Sequence, residues 1–386
     1  MNAELPLVKP NSHSELCDAV RASLERSASF EIIGHGSKRK FGRAAHAVAI
    51  LDMSAFAGIA KSEPEDLVIS AGAATPIAEI DAELANRNQM LGFEPADWGP
   101  LFGEPAGNAT IAGVAASNAC GSRRIKAGAV RDHVIGCRFV NGLGEAVKAG
   151  GNVIKNVTGF DVARLMCGAF GTLGALTELT LRVVPRPARV AALSIACSAE
   201  DGLQILRKAA GSIVDPTGLA YLENRALIRV EGEAEPVRDK LDALKKQFAA
   251  ANMQVLDDDE TRQVFCDLSD GAPLRDAPND LWRLCVTPSR AYEALNESSA
   301  AHWYADWAGG LLWLALQADE GTAKRLRAIT AKYGGHAMLM RASAETRSLR
   351  DVFEPEAPAR AGLTRAVKDA FDPKRVFNPG RMYKDV

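Results

Sequence analysis

Three segments of this chain combine residue types that let a polypeptide backbone close around a large ligand. The first is Gly34-His35-Gly36-Ser37-Lys38, entered from Ile33. The second runs from Gly103 to Gly121 and includes Gly107, Ala109, Thr110, Ala112, Gly113, Ala115, Ala116 and Ser117. The third is Gly171-Thr172-Leu173-Gly174-Ala175-Leu176-Thr177. Nearly every side chain of the second run is small or absent. Ordinary cores fill space with Leu, Ile and Phe, so such emptiness costs packing unless something else occupies the volume. Glycine also lets backbone N–H groups approach a ligand closely. The three segments read as a wall around a large, flat cofactor that carries a diphosphate.

Other chemistries are poorly served. The seven cysteines (17, 120, 137, 167, 197, 266 and 285) are odd in number and scattered, with no Cys-x-x-Cys. That spacing suits free thiols in a reducing compartment and argues against an iron–sulfur cluster or structural zinc in this chain. The six histidines show no metal-ligand spacing either, so no metal site is expected.

With 386 residues, 47% hydrophobic and 24% charged, the composition is that of a globular protein of two or three domains. A net charge of −2 lacks the basic excess of a nucleic-acid binder. No apolar run approaches the ~20 residues that span a bilayer, and the N-terminus lacks an apolar secretion signal. A cytoplasmic location is expected.

The elements needed to position the three segments follow from local signals. A helix over Ser14–Glu25 precedes a strand at Phe30–Ile33, which feeds the first glycine loop; a second strand follows at Ala47–Asp52. The loop joins strand to strand, so the helix that holds the pyrophosphate in a Rossmann unit is missing and that fold is excluded. A strand at Leu67–Ala71 and a helix opened by Thr75-Pro76 come next. Thr110 is placed to cap a small-residue helix, Ile111–Ser117. Asn141-Gly142 joins His133–Val140 and Glu145–Lys148 as a hairpin. A helix over Asp161–Met166 and a strand over Thr177–Val184 lead to the break at Pro185-Arg186-Pro187. Beyond it the order strand, helix, hairpin, helix occurs twice, with Asp257-Asp258-Asp259 read as a connector. The first pass uses Val190–Ala196, Ala199–Ala210, Leu219–Leu222, Ala226–Glu231 and Pro236–Ala250. The second uses Leu281–Val286, Pro288–Asn296, His302–Trp307, Leu311–Leu316, Glu320–Tyr333 and His336–Met340. This predicts an antiparallel sheet with helices on one face, in the ferredoxin-like manner. A helix at Pro358–Ala370 and a turn-rich segment, Phe371–Arg381, end the pattern. The fold class is α+β, with three expected regions: 1–187 (sublobes about 1–55 and 56–187), a cap over 188–345, and a returning segment, 346–386.

From Glu31 to Pro185, and again from Phe371 to Arg381, the chain resembles the FAD-binding module of the vanillyl-alcohol-oxidase-like, PCMH-type flavoproteins. Within that group it most resembles the E-type FAD-binding subunits of glycolate oxidase. The most specific motif is Val153–Leu165, with Lys155, Asn156, Gly159, Phe160 and Asp161; Phe377-Asn378-Pro379-Gly380-Arg381 is similarly familial. The resemblance implies a two-lobed FAD domain with a ferredoxin-like cap over the isoalloxazine ring. It implies that Ile33, Gly34, His35, Gly36, Ser37 and Lys38 bind the pyrophosphate, and that Thr110, Ala112 and Gly113 line the diphosphate and flavin channel. Ser117, Gly121, Ala129, Arg131 and Asp132 would continue that wall. Gly171, Thr172, Leu173 and Leu176 would meet the adenosine half, and Asn378 would return towards the flavin. Family members commonly have Arg at the position of Ile33 and Gly at that of His35. Ser37 stands where covalently flavinylated members carry their linking histidine, so the implied FAD is non-covalent.

The resemblance further implies a role in oxidising glycolate to glyoxylate, beside a larger FAD-containing sister subunit and an iron–sulfur subunit that takes the electrons. Contact with the inner membrane would be peripheral, through that complex. Oxidising a small 2-hydroxy acid needs a cation for the carboxylate and a base for the hydroxyl proton. His336 and Arg341 flank a cap strand and are the candidates, although a His and an Arg outside any motif are more often structural. The His-Val-Gly-Asp-Gly-Asn-like motif of the sister subunit is absent. Two alternatives therefore stand beside the first reading: a self-sufficient FAD dehydrogenase of D-lactate or another 2-hydroxy acid, and an assembly or electron-relay subunit.

Overall fold

A computed structural model describes residues 5–151, 160–249 and 252–386. Most of the Val153–Leu165 motif, with Lys155 and Asn156, lies outside the described residues. The chain divides into two compact units. The first comprises Met1–Ala119, Ala129–Pro185 and Arg347–Val386; the second comprises Cys120–Gly128 and Arg186–Thr346.

The first unit is built on two sheets. The smaller is parallel, in the order Leu7–Val8, Ala49–Asp52, Phe30–Ile33. Helix His13–Glu25, capped by the Ser12 hydroxyl that accepts the Glu15 amide at 3.2 Å, buries Leu16 and Val20 in the core formed with Phe30, Leu51 and Phe377. Each such apolar side chain contributes roughly 1.5–3 kcal/mol when removed from water. The end of the chain joins the same sheet: Phe30 N–H donates to Val376 O at 2.7 Å and Asn378 N–H to Phe30 O at 2.8 Å.

The larger sheet has the order Ile59–Glu63, Val68–Gly72, Ala175–Pro185, Val134–Val140, Ala146–Gly150, with Gln89–Leu91 paired to the far end of Ala175–Pro185. The strand Ile59–Glu63 is an addition to the sequence reading: its outward Lys61 and Glu63 give it the polar look of a loop. Thr75 also differs from expectation. Its hydroxyl bonds Gly72 O at 2.7 Å and Gly58 O at 3.1 Å, and the N-cap of helix Ile77–Ala85 is Pro76, without a side-chain bond.

The second unit is one eight-stranded antiparallel sheet, ordered Met253–Leu256, Arg189–Ala196, Arg225–Gly232, Gly218–Leu222, His302–Asp306, Leu311–Ala315, Leu281–Cys285, His336–Arg341. Numbered along the chain, its first half reads 4-1-3-2 and its second 2-3-1-4, so two ferredoxin-like halves meet edge to edge at Tyr221 and Ala305. The acidic run expected as a connector is instead a helix start. Asp257 accepts the Glu260 amide at 2.9 Å while the Glu260 carboxylate takes the Asp257 amide at 3.0 Å, a capping box opening Asp258–Asp270. After Asp306 the chain passes through three successive left-handed residues, Trp307, Ala308 and Gly309. Asp306 holds this turn by accepting the Trp307 amide and the Ser122 hydroxyl, each at 2.7 Å.

Candidate active site: a side-chain-poor cleft in the first unit

Phe30–Ile33, the loop that follows it, helix Ile111–Ser117, the turn at Phe170–Gly171 and the C-terminal segment converge on one open cleft. The cleft together with the solvent open to it makes up about 840 Å³ of non-atom space. Of the expected residues, it is lined by Ile33, Gly34, His35, Gly36, Ser37, Lys38, Thr110, Ala112, Gly113, Ser117, Gly171, Leu176 and Asn378.

The loop offers donors that the protein itself does not use. Among the described residues, the amide N–H groups of His35, Gly36 and Ser37 have no acceptor within the chain. Unpaired backbone amides are costly when buried and aggregate into anion-binding concavities when they face a ligand. Gly36 sits at φ +79°, a left-handed conformation, and a Cβ there would meet nothing within 4 Å. Gly171 is the opposite case: at φ +67° its Cβ would stand 2.8 Å from Asn378 Nδ2, so only glycine lets the two walls come together.

The Thr110 hydroxyl accepts the Gly113 amide at 3.3 Å and so starts the helix whose small residues floor the cleft. Ser117 turns its hydroxyl back to Gly113 O at 2.7 Å. Asn378, at φ +44°, seams three segments: its Oδ1 accepts the Ile32 amide at 2.9 Å and its Nδ2 donates to Phe170 O at 2.7 Å. Behind it, Lys368 and Asp372 are both fully buried. The Lys368 ammonium donates to Thr172 O at 2.5 Å, Asp372 Oδ2 at 2.7 Å and Phe377 O at 3.1 Å. Asp372 in turn accepts the amides of Val376 and Phe377 at 2.8 and 2.9 Å. One buried ion pair thus fixes the turn at one cleft wall to the segment forming the next. Burial pushes the Lys368 amine down, with Asp372 acting against it.

The field of the cleft is positive. Lys38, Arg39 and Arg381 all line it. Glu31, nearly buried, takes Arg39 through a fork at 3.0 and 2.7 Å and lies 3.6 Å from Arg381. Burial lowers Arg381 to about 10, with Glu31 pulling the other way, so it stays cationic at neutral pH. Its guanidinium also donates to Lys38 O at 3.0 Å and Arg39 O at 2.6 Å, fixing the loop backbone from the C-terminal segment. Residues that the sequence reading did not single out complete the wall, among them Phe41, packed edge-to-face on Phe170 with centroids 5.0 Å apart, Met53, and Ala73. Nothing local marks them; they arrive by folding.

Other expected residues stand elsewhere. Thr172 bonds Ala169 O at 2.7 Å and Leu173 is buried in the core. Asp132 caps its own turn by accepting the Ala129 amide at 2.8 Å, and the Arg131 amide is taken by Asn118 Oδ1 at 3.3 Å. Gly121 belongs to the second unit, where its carbonyl accepts the Trp307 indole N–H at 3.1 Å. None of these lines the cleft. His336 and Arg341 also belong to the second unit. Arg341 donates to the carbonyls of Ala277 at 2.6 Å and Asn279 at 3.1 Å, and to Arg275 O. Arg341 thus braces the Arg275–Asn279 loop within the second unit. His336 is engaged by Cys285 across the strand pair. His133 is buried with its ring against Phe93, centroids 5.4 Å apart.

Unpaired amides, positive charge and a floor without large side chains suit an elongated diphosphate joined to flat rings, and the two-sheet lobe holding them is the fold of FAD-dependent oxidoreductases. Comparison with known proteins agrees. A family profile described as an FAD binding domain matches residues 5–150. Glycolate oxidase subunit GlcE of Escherichia coli (strain K12) is 33% identical over 372 residues, covering 96% of this chain and 97% of that protein. A D-lactate dehydrogenase of Anaerostipes hadrus is 37% identical over 138 residues, 36% of this chain and 28% of that protein. Among solved structures, p-cresol methylhydroxylase with substrate bound superposes with a TM-score of 0.72 at 15% identity, covering 98% of this chain and 88% of that one. That likeness carries the fold alone. The chain belongs to the PCMH-type FAD-binding family, with the E subunits of glycolate oxidase. Its cofactor is FAD. Among the described residues, no helix is long and apolar enough to cross a membrane.

Proposed function

We propose that this chain is the FAD-binding subunit of a glycolate oxidase complex and takes part in the oxidation of glycolate to glyoxylate. The observation that carries the reading is near end-to-end similarity to GlcE, joined to a cleft whose donor set suits FAD. In this reading the first unit (Met1–Ala119, Ala129–Pro185 and Arg347–Val386) forms the cofactor module and the second a separate cap, and the protein works in the cytoplasm.

When bound, FAD supplies a two-electron acceptor for the carbon that bears the substrate hydroxyl. The chain's own residues bind and orient. The amides of His35, Gly36 and Ser37 would hold the pyrophosphate, and Lys38 with Arg381 would balance its charge. Thr110, Ala112 and Gly113 let the cofactor lie against backbone. Asn378 and the Lys368–Asp372 pair hold the walls at a fixed separation, so little reorganisation is needed on binding. Ser37 offers no imidazole for covalent linkage, so the cofactor is held non-covalently. An iron–sulfur partner would take the electrons, since the scattered cysteines of this chain hold no cluster motif.

The test is an anaerobic visible spectrum of the purified, FAD-loaded chain. Flavin bleached by glycolate only after the larger FAD subunit and the iron–sulfur subunit are added supports the proposal. Bleaching by D-lactate with this chain alone would replace it with the self-sufficient dehydrogenase, which the similarity to a D-lactate dehydrogenase favours. Purification without bound flavin, and no uptake of added FAD, would favour the assembly role.

A further inference from the structure

The cofactor cleft has a one-sided charge pattern. Among the described residues that line it, none is an Asp or a Glu. Its charged members are Lys38, Arg39 and Arg381, and the remaining side chain able to carry charge is His35. Histidine is the residue whose charge ordinarily changes between about pH 5 and 8. His35 stands between Gly34 and Gly36, and its own amide is one of the three donors without an acceptor in the chain. Among the described residues its imidazole has no hydrogen-bond or ion-pair partner either, and the side chain is exposed.

The other charged groups around the loop are already engaged. Glu31 takes Arg39 at 2.7 Å and lies 3.6 Å from Arg381. Asp97 sits in a turn close to Ser37, where a Cβ on Gly99 would stand 3.4 Å from the serine Cβ; it accepts the amides of Gly99 at 3.1 Å and Gly107 at 2.7 Å. Lys40 is paired with Glu104 at 2.8 Å. His46 meets Gly380, whose added Cβ would stand 3.0 Å from the imidazole Cδ2, and it does not line the cleft. Helix Ile111–Ser117 and the turn at Phe170–Gly171 bring no acid or base to the other walls.

We propose that the His35 side chain is a proton-dependent contact for the diphosphate of FAD: as imidazolium it adds a further positive charge to the loop, so that cofactor and proton bind together. The inference rests on the cofactor reading and goes beyond it, since that reading uses only the His35 amide. A diphosphate diester keeps both negative charges across the neutral range, and neither the flavin nor the adenine titrates there. A change of affinity with pH therefore belongs to the protein. A dianion favours the charged imidazole, so affinity is greatest where the imidazole is protonated and falls as pH rises through neutrality. Because His35 is exposed, solvent and salt screen the attraction. The expected change is about tenfold, the scale of a close charge pair in water.

The experiment titrates full-length protein, freed of cofactor, with FAD at constant ionic strength between about pH 5.5 and about 8.5, bracketing the imidazole range. The Kd, read from flavin fluorescence, should rise about tenfold across that range. Calorimetry in buffers of different ionisation heat should show proton uptake near neutrality. His35→Gln should bind FAD about tenfold more weakly than the parent at the acid end, match it at the alkaline end and take up no proton. His35→Lys, which stays charged, should bind tightly throughout with no slope, and His46→Gln should keep the parent slope. Riboflavin, which lacks the diphosphate, should bind the parent with no slope. A flat parent affinity, a slope that survives in H35Q or vanishes in H46Q, or a riboflavin slope equal to that of FAD would overturn the proposal and leave the cofactor reading intact. No FAD binding at any pH would overturn both.

Discussion

The cofactor cleft and the eight-stranded sheet solve opposite packing problems. In the second unit Trp282, Tyr304 and Leu312 are fully buried, and Tyr304 stacks on Trp313 at 5.7 Å, so large side chains fill the interior. In the first unit the floor of the cleft is alanine and glycine, and the polar groups that hold its walls are buried behind it. One region is stable because its side chains are large. The other is useful because its side chains are small, and its order comes from hydrogen bonds to backbone: Asn378 to Ile32 and Phe170, Lys368 to Thr172 and Phe377.

Four substitutions press on that contrast. The largest effect is expected from Lys368→Met, which leaves Asp372 buried without its counter-charge. Removing one partner of a buried pair costs about 3–5 kcal/mol, so chemical unfolding should show a loss of that order together with weakened FAD binding; an unchanged unfolding midpoint would mean the ion pair does not hold the walls. Leu312→Ala should cost about 2–5 kcal/mol in stability by opening a cavity in the sheet, while FAD titration of the folded protein stays within about threefold of the parent. Ala112→Phe should do the reverse. Filling the cleft floor is expected to weaken FAD binding by roughly a hundredfold, about 2.7 kcal/mol, with little change in the melting temperature of the FAD-free protein. If Ala112→Phe instead melts the protein and leaves the titration alone, the small residues serve packing after all. Thr110→Ala is the mildest: loss of an N-cap costs about 1 kcal/mol, read as a small drop in melting temperature that Thr110→Ser restores.

What the sequence made legible follows from how local each signal was. Thr110 before Ile111–Ser117 and Asn141-Gly142 between two strands act within a few residues, and both elements form where the signals stand. Asp257–Asp259 misled because three acids in a row look like a solvated linker; the informative spacing was Asp257 to Glu260. In the cleft, the glycine loop and the small-residue helix were readable because an unfilled volume shows in composition. Phe41, Met53 and Ala73 were not, since only tertiary folding brings residues so far apart in sequence to one surface. Thr172 and Leu173 show the limit from the other side: neighbours of a true lining residue, Gly171, turn inward because the chain reverses there.

The path of the chain has a consequence for biosynthesis. Asn378 and Arg381 stand in the same wall as Ile33 and Thr110, yet more than two hundred residues, including the whole eight-stranded sheet, are translated between Thr110 and Asn378. A nascent chain that has emerged only as far as the second sheet has glycine loops but no seam, so cofactor loading must wait until the segment around Asn378 has been made and has folded back. Until then the exposed loops and the unpaired edge at Phe30 are surfaces for a chaperone to cover.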